Sequence, residues 1–251
     1  MEYPGQLLPA LPVVLSNIPR EGYNITRDGL ESLPRGLRES YCGKFYIEFL
    51  PIRQEPHLVA QYPNHAIIKI DFAERFCEYE GVCIDIAADF DGSVTKADLS
   101  FKRHVPGKML VMPLFYREAS QDTARTFQFF PPPWTDLRRL ENLIATITRC
   151  GLQHFDFFDK GEMRLFLRGC RDFVYQTFLQ LVFAGYIDNR IVMTWPIDIP
   201  LLHGARTVSD IMGKRFGERG DVLKHPIRRG RFRIYQRQVR GELQYESDNR
   251  E

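Results

Sequence analysis

From Lys44 to Phe130 apolar and polar residues alternate with period two in one run after another, and this pattern commits that part of the chain to a β-sheet. Phe45, Ile47 and Phe49 alternate with Lys44, Tyr46 and Glu48, and Ile68 and Ile70 with Lys69 and Asp71. Val82, Ile84 and Ile86 alternate with Cys83, Asp85 and Ala87, and the runs Val94 to Phe101, Met109 to Tyr116 and Thr123 to Phe130 complete the set. Such alternation marks strands with one wet and one buried face. Asp91-Gly92 has the chemistry of a tight hairpin turn, and the short connections predict antiparallel pairing. Pro113 confines its strand to an edge or a bulge.

After Pro131-Pro132-Pro133 the period changes. A helix is expected to begin at Thr135-Asp136, with Leu137, Leu140, Ile144 and Ile147 on one face and Gly151 as its C-terminal cap. A second is expected from about Gly169 to Ala184. Its Phe173, Val174, Phe178, Leu179, Leu181, Val182 and Phe183 cover most of its circumference, which marks a buried helix. A shorter third helix is expected around Val208 to Phe216, and a last strand over Arg231 to Val239. The fold class read from this is α+β: a strongly curved, mostly antiparallel sheet, open or closing into a partial barrel, packed on two or three helices. The domain reading is a proline-rich N-terminal arm over residues 1–40 that docks on the body, a single domain over 41–241, and a polar tail over 242–251.

With 251 residues, 44% of them hydrophobic, the chain can bury one good-sized core. No apolar run approaches the roughly 18–20 residues of a membrane span. Leu7 to Leu15 resembles the apolar part of a secretion signal but has Glu2 where positive charge belongs, and Pro9 and Pro12 interrupt it. The five cysteines, Cys42, Cys77, Cys83, Cys150 and Cys170, include no C-x-x-C pair. Free, mostly buried thiols in a soluble, cytoplasmic protein are expected. The net charge of +2 hides an asymmetry. Between His203 and Arg240 eleven Lys/Arg face three acids, so that segment carries +8 and the remainder −6. In R-R-G-R-F-R-I-Y-Q-R the arginines and aromatics suit either a nucleic-acid surface or a charged edge strand with Phe232 and Ile234 inward; the edge strand is the plainer reading.

Phosphate-loop, dinucleotide, G-x-S-x-G and H-E-x-x-H signatures are missing from the sequence. No cofactor or metal is therefore indicated. The six histidines, His57, His65, His104, His154, His203 and His225, are isolated, and D-F-D-G among Asp85, Asp89, Asp91 and Asp98 fails the calcium-loop pattern because Lys96 takes the twelfth position. His154 to Glu162, H-F-D-F-F-D-K-G-E, sets a histidine beside Asp156, Asp159 and Glu162. That suits proton transfer, or a plain short strand with Phe155 inward and a turn at Lys160-Gly161. The most distinctive string is Arg168-Gly169-Cys170-Arg171-Asp172-Phe173. A cysteine at a helix N-terminus beside arginines has its thiolate favoured by the dipole and the charges. A nucleophile also needs a base and an accessible position, which a sequence does not display. A small buried cysteine, with Arg171 paired to a carboxylate, is the plainer reading.

Taken as an ordered set, five features carry a likeness: G-V-C-I-D-I-A-A-D-F-D-G from Gly81, the helix ending at Gly151, H-F-D-F with G-C-R-D-F-V-Y from Gly169, A-G-Y-I from Ala184, and P-I-R-R-G-R-F from Pro226. Through them the chain resembles a fungal domain-of-unknown-function family over roughly Gly43 to Tyr235. The family usually carries an aromatic, often Trp, shortly after its G-C-R; here Asp172 follows Arg171 and the aromatic is Phe173. The resemblance implies a fungal source and a setting in specialised metabolism. From that setting comes the expectation of a cofactor-independent cyclase or isomerase, of Diels-Alder type among others, acting on a hydrophobic terpene- or polyketide-like substrate. Such chemistry needs an apolar pocket and one or two polarising donors. The candidate donors are Tyr46, Tyr116, His154, Arg171, Tyr175 and Trp195, each a polar-tipped residue on or beside an apolar element. The competing expectation is a non-enzymatic binding module, either a metabolite carrier or a binder of nucleic acid or an acidic partner through Arg206 to Arg240.

Overall fold

The fold is that of a computed structural model, which describes residues 19, 22–50, 64–89, 104–118, 123–132, 138–158, 169–195, 200–202, 204–216, 222–224, 231–232, 235–237 and 243–245. Ten strands form one antiparallel sheet whose path runs β12-β7-β5-β4-β3-β2-β6-β8-β9, with β1 paired to β5. The central strands are β2 (Cys42–Phe49), β3 (Ala66–Phe76), β4 (Tyr79–Ala88), β5 (His104–Leu114) and β6 (Arg125–Phe130). On the flanks lie β1 (Tyr23–Asn24), β7 (Phe155–Phe158), β8 (Asp188–Trp195), β9 (Pro200–Leu202) and β12 (Arg231–Phe232). Two small ribbons stand apart, β10 (Lys214–Phe216) with β11 (Val222–Lys224), and β13 (Tyr235–Arg237) with β14 (Leu243–Tyr245).

The helices are α1 (Ile25–Asp28), α2 (Arg35–Glu39), α3 (Leu140–Arg149), α4 (Cys170–Phe183) and α5 (Gly204–Met212). The class is α+β, and the periodicity accounts for it. Phe45, Ile47, Phe49, Ile68, Ile70, Val82, Ile84, Ile86, Phe127 and Phe129 join one core with Leu143, Ile144 and Ile147 of α3, Phe173, Val174, Phe178 and Leu181 of α4, and Val208, Ile211 and Met212 of α5. α4 packs against β3, β4, α3 and α5, so its first turn is fixed relative to the central strands, but it is not buried all round: Phe183, expected inside, is exposed at its C-terminal end.

Several boundaries differ from expectation, for physical reasons. Three polar positions of the central strands are not wet: Glu48, Lys69 and Asp71 are buried, and Lys69 and Asp71 find partners in each other and in Tyr46 instead of water. The helix expected from Thr135 starts at Leu140, since Arg138 accepts from the Cys42 N–H, Leu140 donates to Ser40, and Tyr41 bridges Arg139. Gly151 ends α3 at φ +72°, its N–H on Thr148. The third helix ends at Met212, and Lys214 to Phe216 leaves it to pair with β11. Within Arg231 to Val239 the described residues form β12 and β13; β12 is the sheet's edge, with the Phe232 and Phe155 ring centres 5.0 Å apart. Pro113 faces Val82 across the ladder but lies beyond the stretch of β5 that pairs with β1 and β7. Residues 22–40 are built into the body, where Tyr23, Ile25, Leu33 and Leu37 are buried. The Val94 to Phe101 run, the Asp91-Gly92 turn and the Lys160-Gly161 turn lie outside the described residues. All five cysteines are free, with Cys42, Cys83 and Cys170 buried. Among the described residues no helix is long and apolar enough to cross a membrane.

Candidate functional site

Three elements deliver a cysteine, a histidine and a carboxylate to one place. β3 pairs with β4 so that Ile68 faces Ile84, which brings His65, just before β3, near Asp85 of β4. His65 Nε2 lies 2.7 Å from Asp85 Oδ1, and the same oxygen accepts the Ile86 N–H at 2.6 Å. Cys170 is the first residue of α4. Its N-cap is Gly169, at φ 139° and ψ −16°, and no side chain caps the helix. The Cys170 thiol lies near enough to the His65 ring and the Ala66 main chain for both to act on its ionisation. The group is not sealed. The His65 side chain is 37% exposed and Asp85 15%, while Cys170 is 9% exposed.

The electrostatics act on the cysteine and histidine together. Burial alone pushes the Cys170 thiol up, but His65 as a charge and as a hydrogen-bond partner, the Ala66 N–H and the Arg171 guanidinium more than offset it, so the thiol sits below its usual range. Burial likewise works to lower His65, and the Cys170 thiolate and the Asp85 carboxylate overcome it, which holds the imidazole well above its ordinary value. Both shifts favour one state, a thiolate beside an imidazolium. Cys42 and Cys83 lack such company, and burial pushes Cys42 up to about 12 and Cys83 well above its ordinary value.

Two buried polar residues fix the surroundings. Arg171 Nε donates to the Asn64 carbonyl at 3.1 Å, and Nη1 donates to the carbonyls of Met212, at 2.8 Å, and Lys214. The guanidinium lies 5.2 Å from the centre of the Phe49 ring. Asn64 donates through Nδ2 to the carbonyls of Leu50 (3.1 Å) and Phe216 (2.9 Å), and its Oδ1 accepts the Phe216 N–H at 2.7 Å. Arg171 has no carboxylate partner among the described residues; the acid expected for it is replaced by main-chain carbonyls.

The sequence-derived donors fall in different places. Tyr46 and Tyr116 come together around Lys69, whose ammonium is 4.5 Å and 5.0 Å from their ring centres. The Tyr46 hydroxyl donates to Asp71 Oδ2 at 3.0 Å, and burial followed by the Asp71 charge raises its pKa. Arg171 adjoins Cys170, and Tyr175 is one turn further along α4. His154 stands in the turn between α3 and β7, its N–H on Gly151. Trp195 ends β8 opposite Thr126. His65 and Asp85 were not among the candidates. The signal that points to them is combined: a cysteine after a glycine at a helix start demands a base, and His65 heads a strand whose hairpin partner carries Asp85. No family model, curated protein or solved structure matches the chain.

Proposed function

We propose that the chain is a cysteine-dependent acyl-transfer enzyme, a hydrolase or transferase of esters, thioesters or amides, with Cys170 as nucleophile, His65 as proton carrier and Asp85 as its orienter. The observation that carries the proposal is that Cys170 opens α4 with His65 acting on its thiol, and that His65 Nε2 lies 2.7 Å from Asp85 Oδ1. This is the geometry by which nucleophile, base and orienter are recognised whatever their order along the chain.

The thiolate attacks the substrate carbonyl carbon, a C–S bond forms, and the π electrons move to oxygen. The uncapped first turn of α4 supplies main-chain N–H groups and a positive dipole end for that oxyanion. On collapse the bond to the leaving group breaks, and the His65 imidazolium gives that group its proton. Neutral His65 then takes a proton from water or an acceptor, which attacks the thioester and releases Cys170 as thiolate. Asp85 keeps the ring oriented and favours its charged form. Two of the six donors of the cofactor-free cyclase expectation are otherwise engaged: Tyr46 donates to Asp71, and Arg171 to main-chain carbonyls.

Turnover of p-nitrophenyl acetate tests the proposal. The rate is expected to rise as pH passes the lowered Cys170 value, since the thiol must lose its proton. With an anilide substrate, whose leaving group must be protonated, acylation should also fall as pH passes the raised His65 value, since the ring then has no proton to give. Cys170→Ser should abolish turnover, and Asp85→Asn should slow it by about 10²–10⁴-fold. A single rise through the ordinary thiol range, unchanged in His65→Ala, contradicts it.

A further inference from the structure

We propose that Arg171 is the positioning residue of this site, setting the spacing between nucleophile and base. The proposal rests on the acyl-transfer reading. Arg171 follows Cys170 directly, and its Nε is bonded to the carbonyl of Asn64, the residue that directly precedes His65. One hydrogen bond thus closes a short backbone path from the nucleophile to the base. The path is anchored on its far side, because Nη1 holds the carbonyls of Met212 and Lys214, and Asn64 exchanges two bonds with Phe216. Segments around residues 64, 171 and 212–216 are therefore tied by one planar group.

A guanidinium with 4% exposure and no acid beside it among the described residues is costly to bury. Packing alone calls for an apolar side chain at such a place. What an arginine adds is a rigid fork that reaches several acceptors in fixed directions, which an ammonium does not reproduce. It also adds a positive charge that acts on Cys170. Among the described residues the charged groups acting on the Cys170 sulfur are His65, with Asp85 behind it, and Arg171.

The test is the pH dependence of Cys170 alkylation by iodoacetamide, measured on the full chain carrying Cys77→Ser and Cys150→Ser. Arg171→Lys and Arg171→Gln are compared with Phe178→Leu, which loosens the packing of the same helix, where Phe178 lies 4.7 Å from Phe129, without touching the Arg171 bonds. Both Arg171 variants should move the midpoint upward and slow alkylation at about pH 6 by about tenfold or more. Phe178→Leu should lower the melting temperature and leave the midpoint in place. An unmoved midpoint in folded Arg171 variants overturns the assignment, as does an equal movement in Phe178→Leu. If neither Arg171 variant folds while Phe178→Leu does, Arg171 belongs to the fold alone and the assignment is overturned too. An ordinary midpoint in the parent chain is a different failure, that of the acyl-transfer reading itself.

Discussion

Lys69 and Asp71 form an ion pair out of water, their side chains 0% and 5% exposed. The Tyr46 hydroxyl and the Glu118 N–H, at 2.9 Å, complete the shell of Asp71. Attraction between buried charges is largely offset by the cost of removing them from water, so the pair adds little net stability, but losing one partner strands the other. Lys69→Met is therefore expected to destabilise the protein by about 3–5 kcal/mol, read as a lowered urea midpoint. Lys69→Met with Asp71→Leu should recover most of that loss. A single variant as stable as the parent would show that the pair is not buried as described. The same logic explains why the strand polarity misled: alternation locates every second residue, but whether that residue meets water or a partner depends on what lies over the face.

At the scale of elements, two glycines are fixed by geometry. Gly169 holds φ 139° at the entry to α4, where L side chains are strained. A Cβ on Gly81 would lie 2.2 Å from the Ile70 carbonyl oxygen, inside the β3–β4 pairing. Gly169→Ala should cost about 1–3 kcal/mol of backbone strain, and Gly81→Ala a similar amount through crowding, about 1–3 kcal/mol. Each kcal/mol lowers the melting temperature of a chain this size by about 2–4 °C. The two differ in what else they disturb, since Gly169→Ala moves the start of the helix that carries Cys170. It should slow p-nitrophenyl acetate turnover more than Gly81→Ala does at equal loss of stability, and equal slowing in both would count against the placement of Cys170. Elements of this kind are legible in sequence because their signals are local. Phe45 to Phe49 shows its period within one strand, and α4 is apolar nearly all round from Phe173 to Phe183. The start of α3 was not legible, because the main-chain bonds of Arg138 and Leu140 go to residues of the Ser40–Cys42 segment.

Across the whole molecule the site exists only because the sheet is assembled. His65 and Asp85 become neighbours through the register of β3 and β4, and Cys170 reaches them because α4 packs on those strands. Each residue is unremarkable along the chain. His65 is an isolated histidine, Asp85 one acid among several near a turn, and Cys170 a small residue opening a buried helix. Their convergence is long-range, and single-sequence periodicity carries no information about it. The measurement that tests the central claim most directly is mass-spectrometric mapping of the acyl adduct left by p-nitrophenyl acetate near neutral pH. An acetyl group on Cys170, with Cys42 and Cys83 unlabelled and the adduct forming far more slowly in His65→Ala, is the expected result. Acylation spread over other residues, or a Cys170 that labels equally without His65, would contradict it.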